Sequence, residues 1–220
     1  MQTVRYSIVE KVLDVPLENQ KYPNFMLGGY KTNFSTHTAE HAVLYYPDLE
    51  TLQNKIPLVR INSACFTGDI FHDQRCDCNE QLLKAMELIK NEPGLIIYHL
   101  HHEGRGLGLV SKLATYKQMA EEGISTFEAM ERIVNKNDLR TYGSALLILN
   151  DLKIKRLKLI TNNPNKKEIL EKNGIEVVDV IGSVSQKPSL KRYLKSKAEE
   201  QNHMINHLHF DMLDAEDELK

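Results

Sequence analysis

The 220-residue sequence lacks three features, each of which would have pointed to a particular class of protein. No apolar run approaches the roughly 20 residues that a membrane-spanning helix needs, and residues 1–13 contain no apolar signal core. The 28 lysines and arginines are balanced by 30 aspartates and glutamates, so no basic surplus favours nucleic acid as a partner. The three cysteines are too few, and odd in number, for a disulfide framework. We therefore expect a cytoplasmic protein with free thiols that acts on neither membranes nor nucleic acids.

The hydrophobic pattern alternates between short strands and amphipathic helices. The chain contains no internal repeat and no low-complexity linker. Branched and aromatic residues predict strands over 41–46, 56–61, 94–100, 157–160 and 175–180. Apolar residues at three- and four-residue spacing predict helices over 79–92, 111–122, 126–134, 140–152 and 166–172. This alternation predicts one α/β domain over residues 1–188, its sheet covered by helices, followed by a C-terminal helix and acidic tail over 189–220.

All three cysteines fall within fourteen positions, as Cys65, Cys76 and Cys78. Isolated buried thiols would be an ordinary structural alternative. The neighbouring charged residues do not suit a core strand, and three soft thiolates placed together suit zinc in a reducing compartment. The charged neighbours are Asp69, Asp73, Arg75 and Asp77. The spacing therefore favours a zinc site over a set of buried thiols.

The helix that follows the cysteines bears on the kind of zinc site. Asp77 and Glu80 have the spacing of a capping box, which would place the last two cysteines at a helix N-terminus. A structural zinc has four protein ligands, whereas a catalytic zinc keeps one position open for water. His72 is available as a fourth ligand. The spacing alone leaves the closed and the open site equally plausible.

A glycine-rich turn over residues 98–109 follows a predicted strand and precedes a helix. Backbone amides at such a helix N-terminus can face an anion, although a tight connection is the simpler interpretation. The charged side chains of Glu103 and Arg105 among the glycines strengthen the binding interpretation. His99 and His101 would share one face of the strand, and we expect them, with His102, to be hydrogen-bonding groups rather than metal ligands. We likewise expect His203 and His207, on the C-terminal helix, to be surface residues.

The segment Thr161-Asn162-Asn163-Pro164 ends a predicted strand just before a helix that carries Lys166. Ligands of open α/β sheets collect at this edge of the sheet. A hydroxyl, a helix N-terminus and a lysine together suit phosphate. A capped helix with a solvated lysine is the alternative interpretation of the segment taken alone.

Taken together, the motifs resemble those of GTP cyclohydrolase II over roughly residues 40–182. They are Cys65-x-Thr67-Gly68-Asp69, Arg75-Cys76-Asp77-Cys78, Glu103-Gly104-Arg105-Gly106-x-Gly108, Asp138-x-Arg140-x-Tyr142-Gly143 and Thr161-Asn162-Asn163-Pro164. Several ordered motifs are far more specific than any one of them.

The resemblance implies the family's fold, a mixed sheet covered by helices, and its chemistry. It implies one zinc ion per chain on Cys65, Cys76 and Cys78, with water in the fourth position. It also implies magnesium on the triphosphate and a homodimer. In the implied reaction, the first of riboflavin biosynthesis, the imidazole ring of GTP is opened at C8. Formate and pyrophosphate leave, and the product is a 2,5-diamino-6-ribosylamino-pyrimidinone 5′-phosphate.

The resemblance also implies a role for each motif position. Asp138 would accept a proton, Arg140 would attack the α-phosphate and Tyr116 would assist ring opening. Because arginine stays protonated, we expect Arg140 instead to stabilise charge on that phosphate. Glu103 would recognise guanine, since one carboxylate can accept hydrogen bonds from both its ring N–H and its exocyclic amine. The other implied substrate-binding residues are Arg60, Gln81, Gly104, Arg105, Thr126, Thr161 and Lys166.

The sequence departs from the family pattern near two of these motifs. Asn62, Ser63 and Ala64 stand where the family has His-Ser-Glu, and His102 replaces the usual glutamine before Glu103. Loss of a carboxylate at Ala64 bears on the tuning of the site and on base preference. One open alternative is a paralogue that acts on another purine nucleotide or stops at the formamide intermediate. A second is a non-catalytic, zinc-stabilised nucleotide-binding protein.

Overall fold

The structure, a computed structural model, describes residues 6–34, 37–134, 138–185, 187, 190–201 and 203–205. The strands are β1 (Tyr6–Pro16), β2 (Met26–Phe34), β3 (His37–Tyr46), β4 (Leu58–Ser63), β5 (Gly94–His99), β6 (Arg156–Ile160) and β7 (Glu176–Ile181). They form one sheet in the order β1-β2-β3-β5-β4-β6-β7. Pairing is antiparallel from β1 through β3 to β5 and parallel from β5 through β4 and β6 to β7. The predicted α/β fold with a mixed sheet is confirmed.

Most of the helices lie close to the predicted positions, whereas the short helices over 49–54 and 66–69 and the 3₁₀ helix were not predicted. The helices are α1 (Leu49–Asn54), α2 (Phe66–Asp69), α3 (Cys78–Asn91), α4 (Gly108–Glu122), α5 (Thr126–Val134), α6 (Gly143–Asp151), α7 (Pro164–Lys172) and α8 (Lys191–Gln201), with a 3₁₀ helix at Leu100–Gly106. Over the described ranges, no helix combines the length and the apolar character needed to cross a bilayer. The division at residue 188 stays a prediction, and the acidic tail lies outside the described residues.

Both faces of the sheet are covered because its central strands bury side chains on each side. In β5, Leu95 and Ile97 pack into one hydrophobic cluster with α6 and α7, whereas Ile96 packs into another with α3. Successive side chains of a strand point to opposite faces, so these two clusters lie on opposite sides of the sheet. The pattern is that of a parallel sheet buried between helices, and it leaves the carboxyl ends of the parallel strands as the accessible edge.

One local expectation is wrong: Asp77 occupies the N-cap position of α3, but its side chain makes no capping hydrogen bond. It is fully buried and instead accepts from Lys197 Nζ at 2.7 Å and Gln81 Nε2 at 2.6 Å. Burying a carboxylate is costly unless it is paired and hydrogen-bonded, and the ion pair with Lys197 supplies this where the cap does not.

Candidate active site

The candidate site lies where the carboxyl ends of β4, β5 and β6 meet, the edge at which open α/β sheets bind ligands. The cavity there, including its open mouth, holds about 1140 Å³ of empty space. Among the described residues, seven basic side chains line it against one carboxylate, Glu103. The basic residues are Arg60, Arg75, Arg105, Lys112, Arg140, Lys166 and Lys197. Such a cavity is suited to a ligand that carries several negative charges.

The three cysteines meet at one end of this cavity. One ligand atom from each lies within 4.8 Å of the others, and the Cys65 and Cys76 sulfurs are 3.6 Å apart. Helix α2 brings Gly68 against them, so that a Cβ there would lie 3.0 Å from the Cys65 sulfur and 3.1 Å from the Cys76 sulfur. Hydrogen bonds from the neighbouring thiols, together with Lys112 Nζ at 3.0 Å, lower the pKa of Cys65. Contact with Cys65 and burial raise the pKa of Cys76 and Cys78, so in the absence of a metal the thiolate character resides on Cys65. Three clustered soft ligands of this kind fit zinc.

The described side chains do not complete a fourth protein position on this cluster. His72 is exposed and is not a member of the group of three. All three cysteines line the cavity, so the cluster faces the space that a ligand would fill. Of the two arrangements that the sequence left open, the geometry therefore favours the open one.

Arg60 is buried beside the cysteines and held by two side chains. Its Nε donates to Asn62 Oδ1 at 2.7 Å and its Nη2 to Gln81 Oε1 at 2.8 Å. Gln81 in turn donates to Asp77, which pairs with Lys197. This network brings two predicted substrate-binding residues to the cavity and fixes the direction of the guanidinium.

The glycine-rich turn presents Glu103 to the cavity with most of its acceptor capacity in use. Oε1 accepts from Lys112 Nζ at 2.9 Å and from Gly104 N at 2.8 Å, and Oε2 accepts from Phe66 N. A carboxylate offers about four lone-pair positions, so about one stays available on Oε2. A ligand that donated two hydrogen bonds to Glu103 would therefore need one of these three donors, such as Lys112, to move away.

Gly104 and Arg105 adopt the left-handed conformation, with φ of 58° and 59°. A bulky side chain is uncommon in this region. The Arg105 carbonyl accepts from Leu139 N at 3.0 Å, which joins the turn to the segment that carries Asp138 and Arg140. Two motifs that are distant in sequence are thereby held side by side.

Asp138 and Arg140 form a bidentate pair in which Arg140 Nε donates to Asp138 Oδ1 at 2.8 Å and Nη2 donates to Oδ2. Burial raises the pKa of Asp138, but its hydrogen bonds with Arg140 outweigh this and hold it below its usual value. Burial opposes the charge of Arg140, yet its pKa is raised by the same pairing. Arg140 is thus a firmly protonated cation, which suits charge stabilisation rather than nucleophilic attack.

Tyr116 projects from α4 into the cavity, where the Arg75 guanidinium lies 4.4 Å from its ring centroid. Burial, partly opposed by Lys112, raises its pKa to about 12. At neutral pH the side chain is therefore a hydroxyl donor. Thr126 is the first residue of α5.

Another part of the cavity wall is formed by the connection between β6 and α7. Thr161 Oγ1 accepts from Asn163 N at 3.0 Å, and Asn163 caps α7 through Asn165 N at 2.9 Å. Lys166 Nζ donates to the Ile61 carbonyl at 2.7 Å. Burial, and then repulsion from neighbouring cations, lowers the pKa of Lys166 well below its usual value. An anion bound here would relieve that repulsion.

Sequence reasoning missed the residues that α8 and the segment after it add to the cavity. Tyr193, Lys197 and His203 all line it. The expectation that His203 is a surface residue is wrong: both its ring nitrogens are buried and unpartnered among the described residues, and desolvation lowers its pKa to about 3. His207 lies outside the described residues. A helical pattern alone did not reveal which side of this helix meets the sheet.

His102, one of the departures from the family pattern, has a structural role. Its Nε2 lies 3.0 Å from the Thr141 carbonyl, which can only accept, so Nε2 carries the proton. Its Nδ1 then accepts from the Ser63 hydroxyl at 3.1 Å. Burial lowers the pKa of His102 to about 2, so the imidazole is neutral. It connects the end of β4 to the segment that carries Arg140.

Comparison with known proteins agrees with this geometry. The family model described as GTP cyclohydrolase II matches residues 10–182. A GTP cyclohydrolase-2 of Archaeoglobus fulgidus is 39% identical over 203 residues, which cover 90% of this chain and 50% of that protein. A GTP cyclohydrolase-2 of Psychromonas ingrahamii is 41% identical over 174 residues, 79% of this chain and 86% of that protein. A riboflavin biosynthesis protein RibBA of Aquifex aeolicus is 44% identical over 150 residues, which cover 67% of this chain and 37% of that protein. The chain thus spans about half the length of the first relative and most of the second.

Proposed function

Because the chain belongs to the GTP cyclohydrolase II family, we propose that it opens the imidazole ring of GTP. Hydrolysis at C8 releases that carbon as formate, and cleavage of the triphosphate releases pyrophosphate. The remaining product is a 2,5-diamino-6-ribosylamino-pyrimidinone 5′-phosphate. The reaction belongs to riboflavin biosynthesis, and the reduced cysteines suit the cytoplasm.

The observation that carries the proposal is three clustered thiols on the wall of a cationic cavity. Cys65, Cys76 and Cys78 would hold one zinc ion, and the Gly68 contacts show that the space around their sulfurs is closely shaped. A bound zinc would supply Lewis-acid activation of water for hydrolysis at C8. This arrangement argues against a purely structural zinc, which would be enclosed by four ligands.

Three side chains would handle protons and orient the base during ring opening. Tyr116, a neutral hydroxyl that lines the same cavity as the cysteines, would donate a hydrogen bond to the opening ring. Asp138 is ionised at neutral pH, so it can accept a proton, although its lowered pKa makes it a weak base. Glu103 would orient guanine through its remaining acceptor position, and through Oε1 once Lys112 moves.

The cationic residues bind the triphosphate. Arg140 would stabilise charge at the α-phosphate, and Thr161, Lys166, Arg60 and Gln81 would hold the rest of the substrate. Gly104, Arg105 and Thr126 complete the proposed substrate-binding set. Magnesium would neutralise part of the phosphate charge. We also propose a homodimer, which light scattering of the purified protein would test.

The test is an incubation of zinc-loaded protein with GTP and magnesium, with formate and pyrophosphate measured separately. We expect both products from the wild type and no formate from Cys76→Ser. His72→Ala is the matched control because His72 is adjacent in sequence yet outside the cluster, and it should retain zinc and activity. Loss of zinc from His72→Ala would indicate a closed site and a binding protein.

A panel of other purine nucleotides, read by mass spectrometry, defines the substrate and the product. A single ring-opened product from GTP supports the proposal. Turnover of another nucleotide in preference to GTP, or accumulation of the formamide, would refute this substrate and product assignment and indicate a divergent paralogue.

A further inference from the structure

A second group of metal-ligating side chains lies outside the cavity. His41 is on β3, His99 ends β5 and His101 lies in the 3₁₀ helix. One ring nitrogen from each lies within 4.8 Å of the others, and none of the three residues lines the cavity. His41 and His99 are direct partners in the antiparallel β3–β5 pairing, so the register of the sheet itself brings them together.

The hydrogen bonds of this histidine cluster leave nitrogen lone pairs unused. The Nδ1 atoms of His41 and His99 are 2.8 Å apart, a contact that can hold one proton. His99 Nε2 is buried and has no hydrogen-bond partner among the described residues. His99 itself is fully buried, so bulk solvent does not reach that nitrogen. A buried ring nitrogen without a partner is costly unless something else occupies it.

The second ring nitrogen of His41 is held by a hydrogen bond, as is usual for metal-bound histidines. Its Nε2 lies 2.8 Å from Thr32 Oγ1, which lies 3.0 Å from Ser144 Oγ. Thr32 and Ser144 are both buried. A hydrogen bond to the second ring nitrogen fixes the orientation of the imidazole and directs Nδ1 toward the cluster.

The charge state of the cluster also suits coordination. Desolvation lowers the pKa of His41 to about 4 and that of His99 well below its usual value, and it lowers that of His101 as well. At neutral pH the imidazoles are uncharged, the form that binds metals. His101 is exposed, which provides a route from solvent.

We propose that His41, His99 and His101 bind a second divalent transition-metal ion, distinct from the one on the cysteines. An all-imidazole set suits zinc, copper or nickel, and zinc is the ion we expect where it is the available one. Such an ion would join β3 to the segment that leads, two residues later, to Glu103. It would therefore brace the base of the glycine-rich turn.

The test counts zinc in untagged protein after equilibration with zinc chloride and gel filtration. We expect two equivalents per chain in the wild type, one in His101→Ala and one in Cys65→Ser/Cys76→Ser. His37→Ala is the matched control, an exposed histidine of the same strand β3, and should retain two. His101 is chosen because it is exposed, so its replacement leaves the core packing intact. Circular dichroism of His101→Ala and of the more conservative His101→Gln checks that any loss of zinc does not come from unfolding.

Cobalt spectroscopy identifies the ligands independently of activity. Cobalt chloride added to Cys65→Ser/Cys76→Ser should give visible d–d absorption without the near-ultraviolet charge-transfer band of thiolate ligation. One zinc in both the wild type and His101→Ala, with no cobalt spectrum in the cysteine variant, would overturn the proposal. That outcome leaves the formate assay unaffected, so it is distinguishable from failure of the proposed enzymatic function.

Discussion

The ion pair between Lys197 and Asp77 anchors α8 beside the cysteines, and its removal gives a quantitative prediction. The Nζ–Oδ1 distance is 2.7 Å, and the two side chains are 10% and 0% exposed. Lys197→Met leaves a buried carboxylate with Gln81 Nε2 as its remaining side-chain partner among the described residues. Breaking a buried pair on one side costs about 3–5 kcal/mol of unfolding free energy. For a chain of this size that corresponds to a decrease in Tm of roughly 6–20 °C.

The assay is urea denaturation under reducing conditions, with the zinc content matched between variants. Lys195→Met is the control, since Lys195 is 61% exposed on the same helix and its ammonium lies 3.9 Å from Glu199. We expect this variant to lose less than about 0.5 kcal/mol of unfolding free energy. The double variant Lys197→Met/Asp77→Asn should recover most of the loss, because no uncompensated charge remains. Equal effects of Lys197→Met and Lys195→Met would refute the reasoning.

Three further predictions concern the site itself. Gly68→Ala should lower the affinity for zinc by roughly 10–100-fold, because the added Cβ would displace the cysteine sulfurs. A chelator competition measures this affinity. Gly29→Ala is the control, since Gly29 has open space around it, and it should not change the affinity. Tyr116→Phe should decrease formate release by about 100-fold or more with little change in KM for GTP. The unfolded state protonates His203 below its ordinary pKa of 6.5, whereas the folded state does so only near 3. The free energy of unfolding should therefore decrease as the pH falls through this window, and His203→Gln should flatten that slope in urea titrations at pH 7 and pH 5.

Local patterns predicted the elements better than their arrangement. The helix predicted over 126–134 coincides with α5, and the buried strand over 94–100 differs from β5 by one residue. The bounds of β1 and β2 were not predicted, because the side chains of β1 are largely exposed and do not alternate clearly. The helix predicted from residue 140 begins at Gly143 instead. The preceding segment is held by the pairing of Asp138 with Arg140, an interaction that hydrophobic periodicity does not encode.

The candidate site was predictable where its ligands are close in sequence. Cys65, Cys76 and Cys78 lie within fourteen positions, so their spacing indicated a cluster before any fold was known. His41 and His99 are 58 residues apart, and only the β3–β5 register makes them neighbours. His101 was expected on the same strand as His99, but β5 ends at His99 and the chain turns into a 3₁₀ helix. That turn, rather than strand alternation, places the third imidazole.

The ion pairs of the cavity indicate which of its basic residues would respond to a bound anion. Lys197 is neutralised by Asp77 and Arg140 by Asp138, so both lend shape and hydrogen bonds more than net charge. Lys166 makes no ion pair with the described residues and donates to a carbonyl, and neighbouring cations depress its pKa. A triphosphate would supply the missing counter-charge and favour the protonated ammonium. Of these three residues, Lys166 is therefore the one whose charge would respond most to a bound anion.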